Sequence, residues 1–539
     1  MATTELPAIA LAQVRQVFSR LFQQSRTLME TPPIKRALLS AWDKRGVTDF
    51  ARVLHELGVE LLSTGGTALA LKDAGIPVTL VEHRTGFPEI LDGRVKTLHP
   101  AIHAAILARR DDPSHREQLG MHSIEPIDLV YVNLYPFPDV AAGSRDEQSI
   151  LEMIDIGGPT LLRAAAKNYP WVVPIVRADD CPLVIEHLRS QGKVPLELRR
   201  QLAALTFQYT AWYDAQIAQY FAPSPIEQQF FTLGMAPKHP LRYGENPHQQ
   251  AAYFGTLTEC FAHRHGKELS YNNLLDLDAA VGLVMEFSEP TIVIVKHTNP
   301  CGVGSGATLL EAWEKAYATD TVSPFGGIVA ANTTIEEDFA AHIHPLFTEL
   351  IVAPAFSDEA LAILTKKRDR RLITFDPNVI QQQRERARVR SVLGGVLVQT
   401  ANRELFHPDQ LRVVTEREPS DRELRAMMFA WKVVKHTKSN AIVYAGPDRT
   451  LAIGAGQPSR VDSARIAAWK AAQFGIDLRG AAVASDAFFP FPDGVIQCAE
   501  AGATAIIQPG GSIRDEEVIR AANERNIAMI FTGMRHFLH

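Results

Sequence analysis

Lys296 and His297 follow the β-branched apolar run 291–295, and charged groups at the mouth of a buried strand are uncommon. A desolvated ammonium there stabilises an oxyanion, and an imidazole moves protons near neutral pH. The plainer alternative is a capped strand end with both side chains in water. Just downstream, Gly302-Val303-Gly304-Ser305-Gly306 lacks full GxGxxG spacing and reads as a glycine-rich turn. Pro300-Cys301 lacks the paired second cysteine and the His-x-Glu that a zinc deaminase requires, so zinc hydrolysis is not supported.

A second constellation is Ser63-Thr64-Gly65-Gly66-Thr67, which follows an apolar strand and opens a helix. Its backbone N–H groups either cradle a phosphate, with Lys44, Arg94 and Lys96 as counter-charges, or make an ordinary strand-to-helix turn. Asp155 precedes a helix and Lys167 ends it, positions that helix capping and the helix dipole explain without chemistry. His99 and His103 stand four apart, but no third ligand is evident, so a structural or substrate-contacting role is preferred over a metal.

These residues need a scaffold. From Arg36 onward strands and helices alternate: strands at 37–40, 59–63, 77–81, 129–133 and 171–176, helices at 47–57, 68–74, 158–167 and 196–220. That rhythm predicts a doubly wound parallel sheet. The prolines of 221–240 interrupt it, which gives an N-terminal extension over 1–35, a first domain over 36–222, a linker over 223–240 and a second domain over 241–539. The second domain is α/β again, with strands at 291–295, 327–331 and 441–444 and a helix at 422–434. The pair Lys296-His297 recurs as Lys435-His436, which suggests two similar subdomains. The charge run 366–371 is expected to be a solvated loop. Residues 9–29 place Leu11, Val14, Phe18, Leu21 and Phe22 at helical spacing beside Arg15, Arg20 and Arg26. They read as an amphipathic helix, a plain extension in preference to a transit peptide, with Met29 as an alternative start.

At 539 residues the chain exceeds what one core supports, and its 46% hydrophobic and 22% charged residues suit well-formed globular cores. The net charge of −6 offers no general basic surface for nucleic acid. No apolar run is long enough to span a bilayer. The four cysteines form no CxxC pair, which fits a reducing cytoplasm and neither a zinc site nor a redox dithiol.

Taken in order, the motifs resemble the bifunctional phosphoribosylaminoimidazolecarboxamide formyltransferase and inosine monophosphate cyclohydrolase family. The resemblance runs from Arg36 to His539. In the first domain it rests on Ser63 to Thr67, Thr85-Gly86-Phe87-Pro88-Glu89, Gly93 to Pro100, Asn133-Leu134-Tyr135-Pro136-Phe137 and Ile154 to Gly158. In the second it rests on Leu241 to Gln249, Lys296 to Gly302, Ser439-Asn440, Gly454 to Gln457, Ser459-Arg460, Ser485 to Phe491 and Arg535 to His539. Two positions depart from the family pattern: Trp42, where a small polar residue is usual, and Pro492, where Arg is frequent.

The resemblance implies an N-terminal cyclohydrolase of methylglyoxal-synthase-like fold and a C-terminal transformylase of two cytidine-deaminase-like subdomains. It implies a cytoplasmic homodimer whose transformylase sites lie between subunits, and small-molecule nucleotide and folate substrates. The reactions implied are formyl transfer from 10-formyltetrahydrofolate to 5-aminoimidazole-4-carboxamide ribonucleotide, then dehydrative closure to inosine monophosphate, with no metal. For formyl transfer it implies His297 as base and proton shuttle, Lys296 as its partner or oxyanion donor, and Asn440 positioning the formyl group. Arg242, Arg460 and Arg535 are candidates for the phosphate, and Tyr243, His248, Asn273, Gly326, Phe489, Phe491, Asp493 and Phe537 for other substrate contacts. For ring closure it implies Asp155 as base, Lys96 and Lys167 at the formyl oxygen and Tyr135 orienting water, with Lys44, Ser63, Thr64, Gly65, Gly66, Thr67, Arg94 and Thr97 binding nucleotide. The rival readings are a non-catalytic phosphate sensor for the first domain and a zinc nucleoside deaminase for the second.

Overall fold

The computed structural model describes residues 31–144 and 146–539, and the helix expected over residues 9–29 lies outside the described residues. The chain divides into two compact units between Gly234 and Met235.

The first unit is built on strands β1 (Arg36–Ala41), β2 (Glu60–Ser63), β3 (Thr79–Leu80), β4 (Leu129–Asn133) and β5 (Val173–Ile175) in the order β3-β2-β1-β4-β5. Every pairing is parallel. Parallel sheets are covered on both faces, and the strand residues here divide accordingly. Leu39, Leu61, Leu129, Tyr131 and Val173 enter one core with the helix Val47–Glu56. Leu38, Leu62, Val130 and Val132 enter the other with the helices Pro100–Leu107 and Gly157–Lys167. The chain winds outward from β1 in one direction through β2 and β3, then reverses to β4 and β5. The reversal opens a crevice at the carboxyl ends of β1 and β4, where sheets of this kind bind ligands.

The second unit opens with an antiparallel hairpin of β6 (Lys238–Leu241) and β7 (Ala251–Phe254). Its first sheet comprises β8 (Phe261–His265), β9 (Thr291–Lys296), β10 (Asn299–Ser305), β11 (Ile328–Ala331), β12 (Leu350–Ala353) and β13 (Arg371–Phe375), in the order β10-β9-β11-β12-β13-β8. An exposed hairpin, β14 (Arg388–Val392) and β15 (Gly395–Gln399), follows. The second sheet comprises β16 (Arg412–Val413), β17 (Ile442–Ala445), β18 (Thr450–Gly454), β19 (Ala481–Ser485), β20 (Ala503–Gln508) and β21 (Ala528–Phe531). Its order, β18-β17-β19-β20-β21-β16, repeats the first strand for strand, with the same parallel and antiparallel pairings. In each sheet the first strand in sequence, β8 or β16, is followed by a 14-residue helix, Tyr271–Val284 or Asp421–Val434, with a serine capping box at Ser270 or Ser420. Both helices and the inner faces of both sheets share one core.

The duplication is real, but the repeated Lys-His pair does not mark it. Lys296-His297 ends β9, whereas Lys435-His436 follows the helix Asp421–Val434 and precedes β17. The counterpart of Lys435-His436 in the first half is Met285-Glu286, because Met285 and Lys435 each cap the C-terminus of their 14-residue helix. The two counterparts meet: Glu286 Oε1 accepts from Lys435 Nζ at 3.1 Å and pairs with His436 Nε2 at 2.9 Å. Burial pushes the Glu286 carboxyl up, but His436, Lys435 and Arg384 outweigh it and hold it at about 2.

The run 366–371 also departs from its expectation as a solvated loop. Lys366, Arg368 and Asp369 are exposed, but Arg370 and Arg371 are buried. Arg370 donates to the His344 carbonyl at 3.0 Å and to that of Leu346 at 2.5 Å. Arg371 donates to the Glu268 carbonyl at 3.0 Å and to Glu349 at 2.8 Å. A guanidinium has enough donors in one plane to hold several converging loop carbonyls in the interior, although Arg370 Nε and Nη1 are buried without a partner.

Candidate active sites

In the first unit the crevice at the carboxyl ends of β1, β2 and β4 is a cleft of about 690 Å³. It gathers Lys44, Thr64, Gly66, Thr67, Arg94, Lys96, Thr97, Tyr135 and Asp155 from five separate segments. The helix Gly65–Asp73 opens at its edge, with Thr64 as the extended N-cap residue and no side-chain cap. Its first N–H groups and positive dipole end suit an anion.

Asp155 is a half-buried carboxylate of the cleft. Its Oδ1 accepts the Gly158 N–H at 2.7 Å, so it does cap the helix Gly157–Lys167, from one residue before the N-cap. Burial raises its pKa against the opposing pull of the Gly158 and Tyr135 N–H groups and the Lys96 ammonium. Burial, followed by the charge of Lys96, lowers the pKa of Lys44. A half-buried base beside the Lys96 cation is a device for moving a proton off a weakly acidic N–H.

Trp42, the departure from the family pattern, lies on the cleft wall with its ring 5.0 Å from that of Tyr135. Its turn is held by Asn133, whose Oδ1 accepts the N–H groups of Trp42 at 2.6 Å and Asp43 at 3.0 Å and whose Nδ2 donates to the Asp43 carbonyl at 2.8 Å. Asn133 was visible in the sequence only as part of the motif before Tyr135. Glu152, also on the wall, pairs with Arg94 and carried no sequence signal.

Other expected residues are occupied elsewhere. Ser63 is buried and donates to the Leu39 carbonyl at 2.7 Å. Gly65 faces the adjoining 260 Å³ hollow with Phe87, Glu89 and Lys96. Thr67 Oγ1 exchanges hydrogen bonds of 3.0 Å with the backbone of Ala41, closing the end of β1. Lys167 is not in the cleft. It lies in a separate groove with His103, Arg163, Arg200 and Phe207, at the far end of the 11-residue helix that Asp155 caps. His99 caps the helix Pro100–Leu107, its Nδ1 accepting the Ala101 N–H at 3.2 Å. Among the described residues no group of three or more His, Cys, Asp or Glu side chains could hold a metal.

In the second unit β9 is buried along its apolar run, Lys296 is half-buried and His297 is exposed. Lys296 Nζ donates to the Phe325 carbonyl at 2.9 Å, next to Gly326, whose φ is +74°. Asn299 Oδ1 accepts the Lys438 N–H at 3.1 Å, which joins the His297 turn to the segment carrying Asn440. Asn440 Nδ2 donates to the carbonyls of Gln457 at 2.8 Å and Pro458 at 3.1 Å, and its Oδ1 accepts from Arg460 at 2.7 Å. Arg460 is buried, also bonding Ser485 and Asp486 at 2.8 Å each, so its donors hold Asn440 in place. Asp486 lay unremarked inside a quoted motif.

The remaining candidates divide. Arg242 and Arg535 are exposed, each over a neighbouring ring, Tyr243 at 5.5 Å and Phe537 at 4.7 Å. His248 and Asp493 are exposed as well. Phe491 is 48% exposed, with Arg514 4.8 Å from its ring centroid. Phe489 is fully buried in the outer core of the second sheet. Asn273 is the N3 residue of a capping box, its Oδ1 accepting from Ser270. Pro492, the second departure from the pattern, occupies the first turn of the helix Pro492–Glu500, where its fixed φ is favourable. Burial pushes the Cys301 thiol beside this site up to about 12, so it is an inert packing group.

Comparisons with known proteins cover both halves. An MGS-like domain matches residues 46–160, and an AICARFT/IMPCHase bienzyme model matches residues 165–470. The chain is 54% identical over 515 residues to the bifunctional purine biosynthesis protein PurH of Chloroflexus aurantiacus, covering 94% of this chain and 99% of that one. The protein of the same name from Anoxybacillus flavithermus is 52% identical over 514 residues, covering 94% and 100%. That of Chlorobaculum parvum is 49% identical over 526 residues, covering 95% and 100%. Relatives matched from end to end at about half identity, with both domain models in order along one chain, establish that the chain belongs to the family of bifunctional purine biosynthesis proteins PurH, the AICARFT/IMPCHase bienzymes.

Proposed function

We propose that the two reactions of this bifunctional enzyme are divided between its two units, ring closure over residues 36–222 and formyl transfer over residues 241–539, with 223–240 as the linker. The enzyme completes purine biosynthesis by formyl transfer to an aminoimidazole carboxamide ribonucleotide followed by closure to inosine monophosphate. The observation that carries the division is the cleft that combines half-buried Asp155 with Lys44 and Lys96 in the first unit, while Lys296, His297 and Asn440 are all in the second.

For ring closure the nucleotide phosphate sits against the N-terminus of the helix Gly65–Asp73 and Lys44. Ionised Asp155 takes a proton from the carboxamide nitrogen, which attacks the formyl carbon. Lys96 stabilises the oxygen as charge develops there; that oxygen takes up the proton held by Asp155 and, as the formylamino nitrogen gives up its own proton and forms the ring C=N bond, departs as water. Because both partners belong to one molecule, positioning supplies much of the acceleration. Lys167 is separated from Asp155 by a helix whose ten residue steps span about 15 Å, more than a lysine side chain reaches. Its ammonium serves the helix C-terminus.

For formyl transfer the donor is 10-formyltetrahydrofolate. The exocyclic amine of the nucleotide attacks the formyl carbon, the bond from that carbon to N10 breaks, and His297 carries the amine proton to the leaving N10. Lys296 faces the tetrahedral oxygen, and Asn440, held by Arg460, positions the formyl group. Arg242 and Arg535 are the cations free for phosphate. The enzyme acts as a cytoplasmic homodimer.

The test separates the reactions. His297→Ala should lower formyl transfer by at least about 100-fold while the same protein still cyclises supplied formylated nucleotide. Unchanged transfer would remove His297 from the mechanism.

A further inference from the structure

The turn that carries His297 is held in a conformation its side chains disfavour. His297 and Thr298 have φ of +52° and +61°, two successive non-glycine residues in the left-handed region, where Cβ crowds the carbonyl oxygen. Such geometry persists where the surroundings over-determine it. Thr298 Oγ1 and Asn299 Nδ2 both donate to the His297 carbonyl, at 2.7 and 3.2 Å, but these bonds lie within the turn and move with it. Asp276 comes from a different element, the helix Tyr271–Val284. Its Oδ1 accepts the Thr298 N–H at 2.6 Å, and the His297 N–H lies close enough to pull on the same carboxylate.

We propose that Asp276 is the positioning residue of the formyl-transfer site: its carboxylate gathers the N–H groups of His297 and Thr298, fixes the left-handed pair and thereby aims the imidazole from the end of β9. The inference rests on the reading of His297 as proton shuttle. A half-buried carboxylate needs such donors. Burial pushes the Asp276 carboxyl up, and the Thr298 N–H, the nearby imidazole and the His297 N–H counter it. A charged acceptor binds backbone N–H groups more tightly than a neutral one, which suits a clamp on a strained turn. Asn272, on the same helix, donates to the Glu245 carbonyl at 3.2 Å, so this helix also ties down the 242–249 loop that carries Arg242 and Tyr243.

The test is a double-mutant cycle in the full-length enzyme. Asp276→Asn should lower kcat for formyl transfer by about 10- to 100-fold, the effect of a misplacement near 1 Å. KM for nucleotide and folate should change by less than about threefold, and ring closure of supplied formylated nucleotide should be unchanged. In a His297→Ala background Asp276→Asn should have no further effect on residual transfer, because the residue it positions is gone. Thr298→Gly, which adopts the left-handed conformation unaided, should restore part of the rate lost in Asp276→Asn. That background also carries the cycle if Asp276→Asn alone does not fold. If His297→Ala leaves transfer intact, the reading of His297 fails and the inference with it. If His297→Ala abolishes transfer but Asp276→Asn keeps the original kcat, or is equally harmful with and without His297, Asp276 is not a positioning residue for it.

Discussion

Replacing Gly158 by Ala puts a methyl group where the carboxylate of Asp155 already sits. A Cβ at this position would lie 2.4 Å from Asp155 Oδ2, 2.9 Å from its Cγ and 2.7 Å from Leu134 Cδ2. Ordinary contact needs about 3.5 Å, so the carboxylate must retreat by about 1 Å. In doing so it strains the 2.7 Å bond from the Gly158 N–H. Overpacking of this kind costs about 1–3 kcal/mol, and exchanging glycine for alanine inside a helix returns about 0.8–1 kcal/mol. The net loss of stability is therefore about 0–2 kcal/mol, small enough for the protein to remain folded. The loss of rate is the larger effect: a base displaced by about 1 Å costs about 100-fold, or about 2.7 kcal/mol of transition-state stabilisation. The assay is ring closure of supplied formylated nucleotide followed by absorbance, with formyl transfer and a thermal melt on the same preparation. Transfer should be unchanged. Gly120→Ala, in the helix Pro113–Met121 with nothing within 4 Å of the added methyl, is the control and should stabilise by about 0.5–1 kcal/mol without changing either rate. If Gly158→Ala cyclises at the original rate, Asp155 is not the base or its position is not critical.

Two further outcomes follow from the same cleft. Asp155 must be ionised to act, and burial raises its pKa, so ring closure should fall on the acid side at a pH above that of an ordinary carboxylate, near 3.9. A carboxyl whose folded pKa is raised favours folding when protonated, and that contribution disappears as pH rises through the folded value. Asp155→Asn should therefore melt above the original protein at about pH 8, with the gap closing below about pH 4, while losing ring closure; a lower melting temperature at pH 8 would contradict the assignment of burial as the dominant influence. Lys167→Ala should cost under about 1 kcal/mol of stability and leave ring closure within a few-fold, and a loss of about 100-fold would place its ammonium at the reacting oxygen after all.

The parallel sheet of the first unit was legible because its strands are short apolar runs between helical patterns, and β1, β2 and β4 fall on 37–40, 59–63 and 129–133 within a residue or so. The prediction weakened at β3, where the apolar run 77–81 yields two strand residues and Val81 turns into a short helix. Local pattern does not say which of two conformations tertiary packing selects. Site residues were legible when they sat at strand ends, as Thr64, Lys296 and His297 do, or just before a helix, as Asp155 does. Residues that act through others were not: Asn133 holds the Trp42 turn, Asp276 the His297 turn and Asp486 the Arg460 guanidinium, and none carries a local signature. Sequence spacing also brought Lys167 too close to Asp155, since a separation of twelve positions, most of it along a helix, parts side chains that the motifs set side by side. In the same way Phe489 and Phe491 looked equivalent, yet one is core and the other surface.

The meeting of Glu286 with Lys435 and His436 fixes how the two halves of the second unit are related as building blocks. Two copies of the first half would oppose carboxylate to carboxylate at this buried position with only Arg384 of each copy to offset them, and two copies of the second would oppose ammonium to ammonium without the Glu286 carboxylate that pairs with them. Neither half can therefore replace its twin. Although strand order makes them interchangeable in outline, they have become an obligate heterologous pair, and any rearrangement of the gene that repeats one half in place of the other discards the charge match that closes the core.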